Sequence, residues 1–260
     1  DPARLYFARQ RVWRSDDRGD SWTPISEDLT RDVRRLHEPI MGRQWSDLGV
    51  WDLVAMSDFS TLSALSESPL VEGLIYAGSD DGMIAVTEDD GQTWRRVPFA
   101  ELPNAPEGAF VNDVVADRHA PDRVYLVLDN HKEGDFAPYL YRSDDRGRSW
   151  TSIRGDLPDR HVLWSLVQDH ENPELLFVGT EFGIFFTVDG GERWIELSGG
   201  VPTIPFRDLE IQRRENDLVG GSFGRGFYVL DDYTPLRNVS EETLAERAVL
   251  FDLRDPWWYV

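Results

Sequence analysis

The chain has 260 residues, a formal charge of −21 at pH 7 and no cysteine. Such an acidic surface repels phosphate backbones, so nucleic acid is not expected as a partner, and the lack of cysteine excludes disulfides, thiolate metal sites and a cysteine nucleophile. No apolar run approaches the roughly 20 residues of a membrane-spanning helix, so membrane insertion is not expected either.

One eight-residue pattern, S/T-x-D-x-G-x-x-W, occurs four times along the chain. Apolar and aromatic runs precede each copy, a short run follows it, and a fifth unit over 207–232 has a decayed copy. The four copies are "SDDRGDSW" (15–22), "TEDDGQTW" (87–94), "SDDRGRSW" (143–150) and "TVDGGERW" (187–194). Recurring units of one kind indicate a repeat architecture.

The units predict four short strands each. The runs before the second box, for example, are "STLSALSES" (60–68) and "GLIYAGSDDGMIAVT" (73–87), and "RRVPF" (95–99) follows it. Successive four-stranded antiparallel sheets describe an all-β fold, a β-propeller, with four blades that each carry the box and a fifth degenerate one, as part of a larger propeller. The first unit lacks a clear innermost strand. A β-sandwich is the alternative, although it needs no four-strand period.

The propeller blades are predicted to occupy residues 1–237. Residues 238–260 are predicted to form a short helix and a strand, as a linker or a ring-closing tail. Ser240 is a candidate N-cap, followed by acidic residues that suit a first helical turn. The run "AVLFDL" (248–253) is the candidate closing strand.

Each residue of the repeated pattern has a predicted role in a hairpin turn. The aspartate accepts hydrogen bonds from the turn, the glycine takes a positive φ, and the tryptophan fills space between neighbouring sheets. Calcium binding is the alternative, but it needs six to eight oxygen ligands and each turn offers only two or three carboxylates. No metal and no cofactor are therefore predicted. The structural residues are Asp17, Gly19, Trp22, Asp89, Gly91, Trp94, Asp145, Gly147, Trp150, Asp189, Gly191 and Trp194.

The pattern resembles the Asp-box, or BNR repeat, found in propellers of bacterial sialidases, endo-xyloglucanases and sortilin receptors. Longer stretches, such as "NPELLFVGTEFGIFFTVDGGERW" (172–194), resemble large bacterial sortilin-like BNR-repeat "glycosyl hydrolase" proteins, and the resemblance extends from about Leu5 to Arg237. It implies a segment of a longer, secreted or periplasmic bacterial protein. It also implies protein or peptide ligands, or docking against the remainder of the parent chain.

Propeller connectivity predicts where a ligand would bind. The turns between the second and third strands of the blades lie on the face opposite the boxes. This face is predicted to hold carboxylates suited to catalysis at Asp80, Asp129 and Glu181, and ligand-binding side chains at Arg9, Asp81, His131 and Arg225. The alternative is that each is a solvated turn residue. An arginine-containing link over 28–50 is predicted to be an interaction element.

The favoured function is a non-catalytic binding or assembly module. The alternative is a glycoside hydrolase, which needs a carboxylate pair at a set separation, and a structural part of a larger enzyme is a third reading. A sialidase fits less well, since it needs three arginines around the substrate carboxylate and only Arg9 and Arg225 fall in the turns above. No paired metal-binding histidines and no nucleophile elbow occur.

Overall fold

A computed structural model describes residues 3–34, 37–39, 42–44 and 59–252. Within those ranges the chain folds into five antiparallel sheets of three or four strands, with very little helix. This confirms the predicted all-β fold. Parts of the 28–50 link lie outside the described residues. No helix in the described ranges is both long and apolar enough to cross a membrane.

Each sheet is one blade, numbered here from 1 to 5 in chain order. Neighbouring strands in every sheet are consecutive in sequence. Blade 1 contains β1 (Leu5–Ala8), β2 (Val12–Ser15) and β3 (Thr23–Pro24), and blade 2 contains β4 (Leu62–Glu67), β5 (Ile75–Ser79), β6 (Ile84–Thr87) and β7 (Arg95–Val97). Blade 3 contains β8 (Phe110–Ala116), β9 (Val124–Asn130), β10 (Asp135–Ser143) and β11 (Thr151–Ser152). Blade 4 contains β12 (Leu163–Gln168), β13 (Leu176–Thr180), β14 (Gly183–Thr187) and β15 (Ile195–Glu196), and blade 5 contains β16 (Phe206–Gln212), β17 (Asp217–Ser222) and β18 (Phe227–Leu230).

The hydrophobic core lies between the blades. Strands β5, β12, β13 and β14 are buried along their whole length, which explains why their sequences are nearly continuous apolar runs. A sheet covered on both faces requires such runs. Buried side chains form one cluster at each junction, between blades 1 and 2, 2 and 3, 3 and 4, and 4 and 5.

The Asp-box closes the turn between the third and fourth strands of a blade. In blade 3 the Asp145 carboxylate accepts hydrogen bonds from the Ser149 amide at 2.8 Å and from the hydroxyls of Ser143 and Ser149 at 2.7 and 2.6 Å. Ser143 Oγ also accepts from the Gly147 amide at 2.7 Å, and Gly147 has a φ of 75°. Equivalent bonds form around Asp17, Asp89 and Asp189.

The boxes lie at the same end of the blades as the turns between the first and second strands. The residue after the box aspartate donates its amide proton to that turn in three blades. The bonds are Asp90 N to Gly73 O at 3.0 Å, Arg146 N to Asp122 O at 2.8 Å, and Gly190 N to Glu174 O at 3.1 Å. We call this end the box face and the opposite end the second face.

In blades 2 and 4 the box tryptophan also bonds the preceding blade, whereas Trp150 Nε1 of blade 3 is buried without a hydrogen-bond partner among the described residues. Trp94 Nε1 donates to Ile25 O at 2.8 Å, and Trp194 Nε1 donates to Ile153 O at 3.0 Å. The backbone approaches so closely that a Cβ on Gly91 would lie 2.5 Å from Ile25 O. Trp22 differs, because no described blade precedes it: it is 39% exposed and bonds Gly19 O within its own turn.

The two end blades are incomplete among the described residues. Blade 1 has no innermost strand and blade 5 no outermost strand. The outward faces of these blades leave large apolar side chains in solvent, with Phe7 62%, Phe227 81% and Val229 55% exposed. The described blades therefore form part of a propeller with two open ends.

The tail contains a short helix, α1 (Glu241–Ala245). Ser240 caps it, since Ser240 Oγ accepts from the Thr243 amide and Thr243 Oγ1 accepts from the Ser240 amide. The strand predicted over 248–253 is not formed in its described part, residues 248–252. Leu250 there is 96% exposed, so this segment has no neighbouring strand against which to pack.

We expect Asp145→Ala to lower the free energy of unfolding by about 1–3 kcal/mol, because it leaves the turn amides and hydroxyls of the box without their acceptor. Asp144→Ala is the matched control, since Asp144 is an exposed carboxylate whose ion pairs with Arg123 and Arg142 are worth less than about 1 kcal/mol. Urea denaturation measures both. Equal losses in the two variants would contradict the role given to the box aspartate.

Candidate functional site

The turns of the second face are anchored by one recurring backbone bond. In blades 2, 4 and 5 the amide at the start of the turn between the second and third strands donates to the carbonyl of the residue immediately before the innermost strand. It links Asp80 N to Thr61 O at 2.9 Å, Glu181 N to Val162 O at 3.0 Å, and Phe223 N to Pro205 O at 2.9 Å. These bonds hold the predicted site turns against the inner end of each blade.

A bulge recurs in the innermost strands of blades 2 to 5, next to those turns. One residue in each of these strands has no partner in the neighbouring strand, and these residues are Ser63, Asn112, Trp164 and Arg207. In blades 2 and 3 the bulged side chain bonds the next blade. Ser63 Oγ donates to Val111 O, and Asn112 Nδ2 donates to Leu163 O, each at 2.6 Å.

The bulges of blades 4 and 5 carry a different contact. The guanidinium carbon of Arg207 lies 3.3 Å from the ring centroid of Trp164, so a cation–π stack replaces the polar bond between blades. The Phe223 ring lies on the guanidinium as well, at 5.2 Å. Blades 4 and 5 are thus joined at this point by two bulky side chains.

A cleft of about 270 Å³ opens beside this stack. Its walls come from the turn of blade 3, the link to blade 4, the turn of blade 4 and the innermost strand of blade 5. We call it the aromatic cleft, and its lining residues are His131, Phe136, Arg160, Val162, Trp164, Glu181, Phe182 and Arg207. Of the predicted site residues, His131 and Glu181 lie here.

Hydrogen bonds fix the polar groups of the aromatic cleft. Trp164 Nε1 donates to Glu181 Oε2 at 3.1 Å, and the edge of the Trp164 ring contacts His131 with centroids 5.6 Å apart. His131 Nδ1 contacts the buried carboxylate of Asp129, which also accepts from the His131 amide at 3.1 Å. Burial lowers the pKa of Arg207, while the charges of Glu181 and Asp129 act in the opposite sense.

A second, smaller cavity of about 50 Å³ lies between the turns of blades 2 and 3. Asp80 and Asp129 both line it, so we call it the acidic cavity; its other lining residues are Phe59, Gly108, Phe110, Asn130, Lys132 and Glu133. Burial raises the pKa of Asp80 to about 6, against a bond that its carboxylate accepts from the Thr61 amide at 2.8 Å.

Three predicted ligand-binding residues lie away from both spaces. The Asp81 carboxylate is fully buried, accepts from the Arg31 amide at 2.7 Å and contacts Ser79 Oγ, so it holds the start of the 28–50 link onto blade 2. The Arg9 carbonyl accepts from the Leu62 amide. Arg225 is exposed on the blade 5 turn, and neither Arg9 nor Arg225 lines the cleft or the cavity.

The sequence patterns did not single out Asp113, a carboxylate on the innermost strand of blade 3. Burial raises the pKa of Asp113 to about 6, and the negative charges of Asp208 and Glu210 act in the same direction. Asp113 accepts from the Leu166 amide of the next blade at 3.0 Å. No group of three or more potential ligands within the described ranges could hold a metal ion.

Comparisons with known proteins agree with this geometry. Residues 140–153, which end the third strand of blade 3 and contain its box, match the BNR-Asp box repeat. The β-propeller domain of Cps50 (Swd1) from Myceliophteria thermophila superposes with a TM-score of 0.59 at 12% identity, over 93% of this chain and 66% of that one. The chain thus has a β-propeller fold and carries an Asp-box repeat.

Two longer proteins are similar to part of the propeller. Xyloglucanase Xgh74A of Acetivibrio thermocellus is 27% identical over 137 residues, which cover 48% of this chain and 16% of the enzyme. Vacuolar protein sorting/targeting protein 10 of Arthroderma benhamiae is 26% identical over 153 residues, which cover 54% of this chain and 9% of that protein. The propeller spans less than a fifth of either relative.

We expect Asp80 to make the stability of the propeller fall as pH rises from about 4 to above 6. A raised pKa means that the folded state binds the proton more tightly than the unfolded state, so stability is greatest below the ordinary pKa near 3.8 and is lost as Asp80 ionises near 6. Asp80→Asn keeps an oxygen that can accept from the Thr61 amide but cannot ionise. It should therefore remove about 1–2 kcal/mol of the loss in unfolding free energy that the wild type shows between pH 4 and pH 7.

Urea denaturation at pH 4, 5, 6 and 7 measures this difference. Asp113 contributes in the same direction, so Asp80→Asn should flatten the profile in part and Asp80→Asn/Asp113→Asn further. A profile that Asp80→Asn leaves unchanged would contradict the burial effect.

Proposed function

We propose that the chain is a non-catalytic binding module that takes protein or peptide ligands in the aromatic cleft of its second face. The cleft itself carries the proposal. It combines exposed aromatic side chains, with Phe136 39% and Phe182 44% exposed, with polar groups already fixed by hydrogen bonds. A concave, largely apolar site with a few positioned polar groups is typical of ligand binding.

A glycoside hydrolase is the alternative, and the acidic cavity is the observation that favours it. Asp80 has the raised pKa that suits a general acid, and Asp129 is a second carboxylate on the same cavity. Glu181 faces the aromatic cleft and is bonded to Trp164, so it does not complete this pair. The similarity to a xyloglucanase supports testing this alternative.

The size of the acidic cavity weighs against hydrolysis. About 50 Å³ holds one or two water molecules, each of which occupies about 30 Å³ in the liquid, and not a sugar ring. The aromatic cleft is more than five times larger, although its single described carboxylate is Glu181. The space for a ligand is therefore in the aromatic cleft, whereas the pair of carboxylates is in the acidic cavity.

We also propose that further blades of a larger parent protein cover the two open ends. The exposed Phe7 and Phe227 occupy outward sheet faces whose counterparts inside the propeller are buried. Trp22 lacks the carbonyl of a preceding blade that Trp94 and Trp194 bond. A secreted or periplasmic location goes with this proposal, and fractionation of producing cells tests it.

We expect Phe182→Asp to abolish peptide binding by the propeller. An array of random peptides probed with the wild-type chain should contain a reproducible subset that binds. A charge at position 182, which the bound peptide would cover, should abolish this binding. Leu70→Asp is the matched control, since Leu70 is similarly exposed (48%) and lies in the turn between the first and second strands of blade 2, on the box face. Melting temperatures of both variants check folding.

Two results would contradict the binding proposal. One is the absence of any peptide that distinguishes wild type from Phe182→Asp. The other is release of reducing ends from xyloglucan by the wild-type chain that Asp129→Asn abolishes, which would favour the hydrolase instead.

We expect the open ends to make the isolated chain self-associate at high protein concentration, because contiguous exposed apolar surface drives association. Light scattering should give a mass above the 29.9 kDa of the monomer. Phe227→Lys should lower that mass, and Leu70→Lys should not. If the wild type and both variants are all monomeric, the result would contradict the proposal that further blades cover the open ends.

A further inference from the structure

Two arginines face the aromatic cleft without a carboxylate of their own. Among the described residues, the side chains of Arg160 and Arg207 make no hydrogen bond or ion pair, and both contact aromatic rings. Elsewhere in the chain Arg123, Arg146 and Arg237 each lie within ion-pair distance of at least two carboxylates. Other described arginines, such as Arg118 and Arg193, also lack an ion pair, so what distinguishes Arg160 and Arg207 is that both line one cleft.

Stacking fixes Arg207 and leaves its hydrogen-bonding edge available. The Trp164 and Phe223 rings contact the guanidinium at 3.3 and 5.2 Å from their centroids. A planar guanidinium that stacks through its face keeps its N–H donors for an acceptor in the plane, and two parallel N–H bonds match a carboxylate. Arg207 is thereby positioned before any ligand arrives, which lowers the entropic cost of binding.

Arg160 is held in an unusual backbone conformation. Its φ is 75°, in the left-handed region that costs a non-glycine residue of order 1–3 kcal/mol. Its guanidinium lies 5.9 Å from the Phe136 ring, on the opposite side of the cleft from blade 5. Arg18, Asp90 and Arg146 have a similar φ in the box turns, so the conformation positions Arg160 but does not by itself indicate a ligand.

Among the described residues, no carboxylate forms an ion pair with Arg160 or Arg207. Glu181 is the one carboxylate in the described lining of the cleft, and one of its oxygens accepts from Trp164. Asp129 contacts His131. The charges of Glu181 and Asp129 both act on Arg207, so two arginines face two carboxylates here, and the cleft lacks the excess of negative charge that the whole chain carries. Its guanidinium donors can therefore pair with an acidic ligand.

The aromatic side chains favour a peptide over a carbohydrate. The one tryptophan in the described lining of the cleft offers no free face for a sugar ring, because Arg207 covers Trp164, which is only 7% exposed. Phe136 and Phe182 are open to solvent and suit an aliphatic or aromatic side chain. About 270 Å³ accommodates one or two side chains, so most of an extended peptide would remain outside the cleft.

We propose that the aromatic cleft recognises an acidic side chain within an extended peptide, paired with Arg207 and Arg160, together with a neighbouring apolar side chain against Phe136 and Phe182. This inference rests on the proposed peptide-binding function and specifies its ligand class.

The test uses an array of random dodecapeptides with acetylated N-termini and C-termini attached to the support, so that side chains are the only carboxylates. The array is probed with the wild-type chain, and the best binders are resynthesised with each Asp or Glu changed to Asn or Gln. We expect the binders to be enriched in acidic residues next to apolar ones. Loss of the critical carboxylate should weaken binding roughly 10- to 100-fold, as for a charge-assisted hydrogen bond.

Matched arginine variants assign the effect to the cleft. Arg207→Gln and Arg160→Gln should each weaken binding of the acidic peptide, and Arg207→Lys should restore it only in part because lysine lacks the planar fork. Arg193→Gln removes the same charge from the box of blade 4 and should leave binding unchanged. Thermal unfolding of each variant verifies the fold.

The possible outcomes separate the two proposals. Peptides that bind equally well after Glu→Gln substitution, and are still lost in Phe182→Asp, would overturn the acidic ligand class and leave the binding function standing. Equal weakening by Arg193→Gln and Arg207→Gln would show a general charge effect and overturn the site. If an oligogalacturonate displaces the array peptides and binds more tightly than they do, the ligand class would be an acidic carbohydrate and the peptide proposal would be wrong. If no peptide binds, both proposals fail.

Discussion

The hydrogen-bonded turn around the Asp-box carboxylate is the interaction on which the rest of the structure depends. It satisfies the amides of a tight turn that would otherwise lack acceptors, and it places a tryptophan and a glycine against the carbonyl of the preceding blade. The repeated box thus sets both the closure of each blade and the spacing between blades. Because these stabilising hydrogen bonds lie on the box face, the turns of the second face do not have to supply them and can differ in sequence.

On the second face, the residue at the bulge of the innermost strand differs from blade to blade. Blades 2 and 3 use a serine or an asparagine at the innermost bulge to bond the next blade, which closes the gap between them. Blades 4 and 5 place Trp164 and Arg207 at the same position, where the stack joins them and a cleft remains beside it. The cleft that we propose as a binding site therefore occurs where the residue type changes at a repeated structural position.

The sequence predicted the strands, the roles of the box residues and the face on which polar turns meet, because these follow from local patterns. It placed His131 and Glu181 on that face, but it missed Trp164, Arg160 and Arg207, since a bulge and the alignment of neighbouring blades leave no local signal. Comparing the four innermost strands position by position would have found Trp164 and Arg207. The closing strand over 248–253 was predicted from its apolar residues alone, and the described part has no strand beside it.

Hydrogen–deuterium exchange of the chain with and without an array-selected peptide tests the location of the ligand site most directly. The account predicts slower amide exchange in the segments of the second face that surround the aromatic cleft, which are 131–136, 160–164, 181–183 and 205–207. Exchange in the four box turns should stay the same. Protection confined to the box turns, or protection in neither region despite measurable binding, would contradict the account.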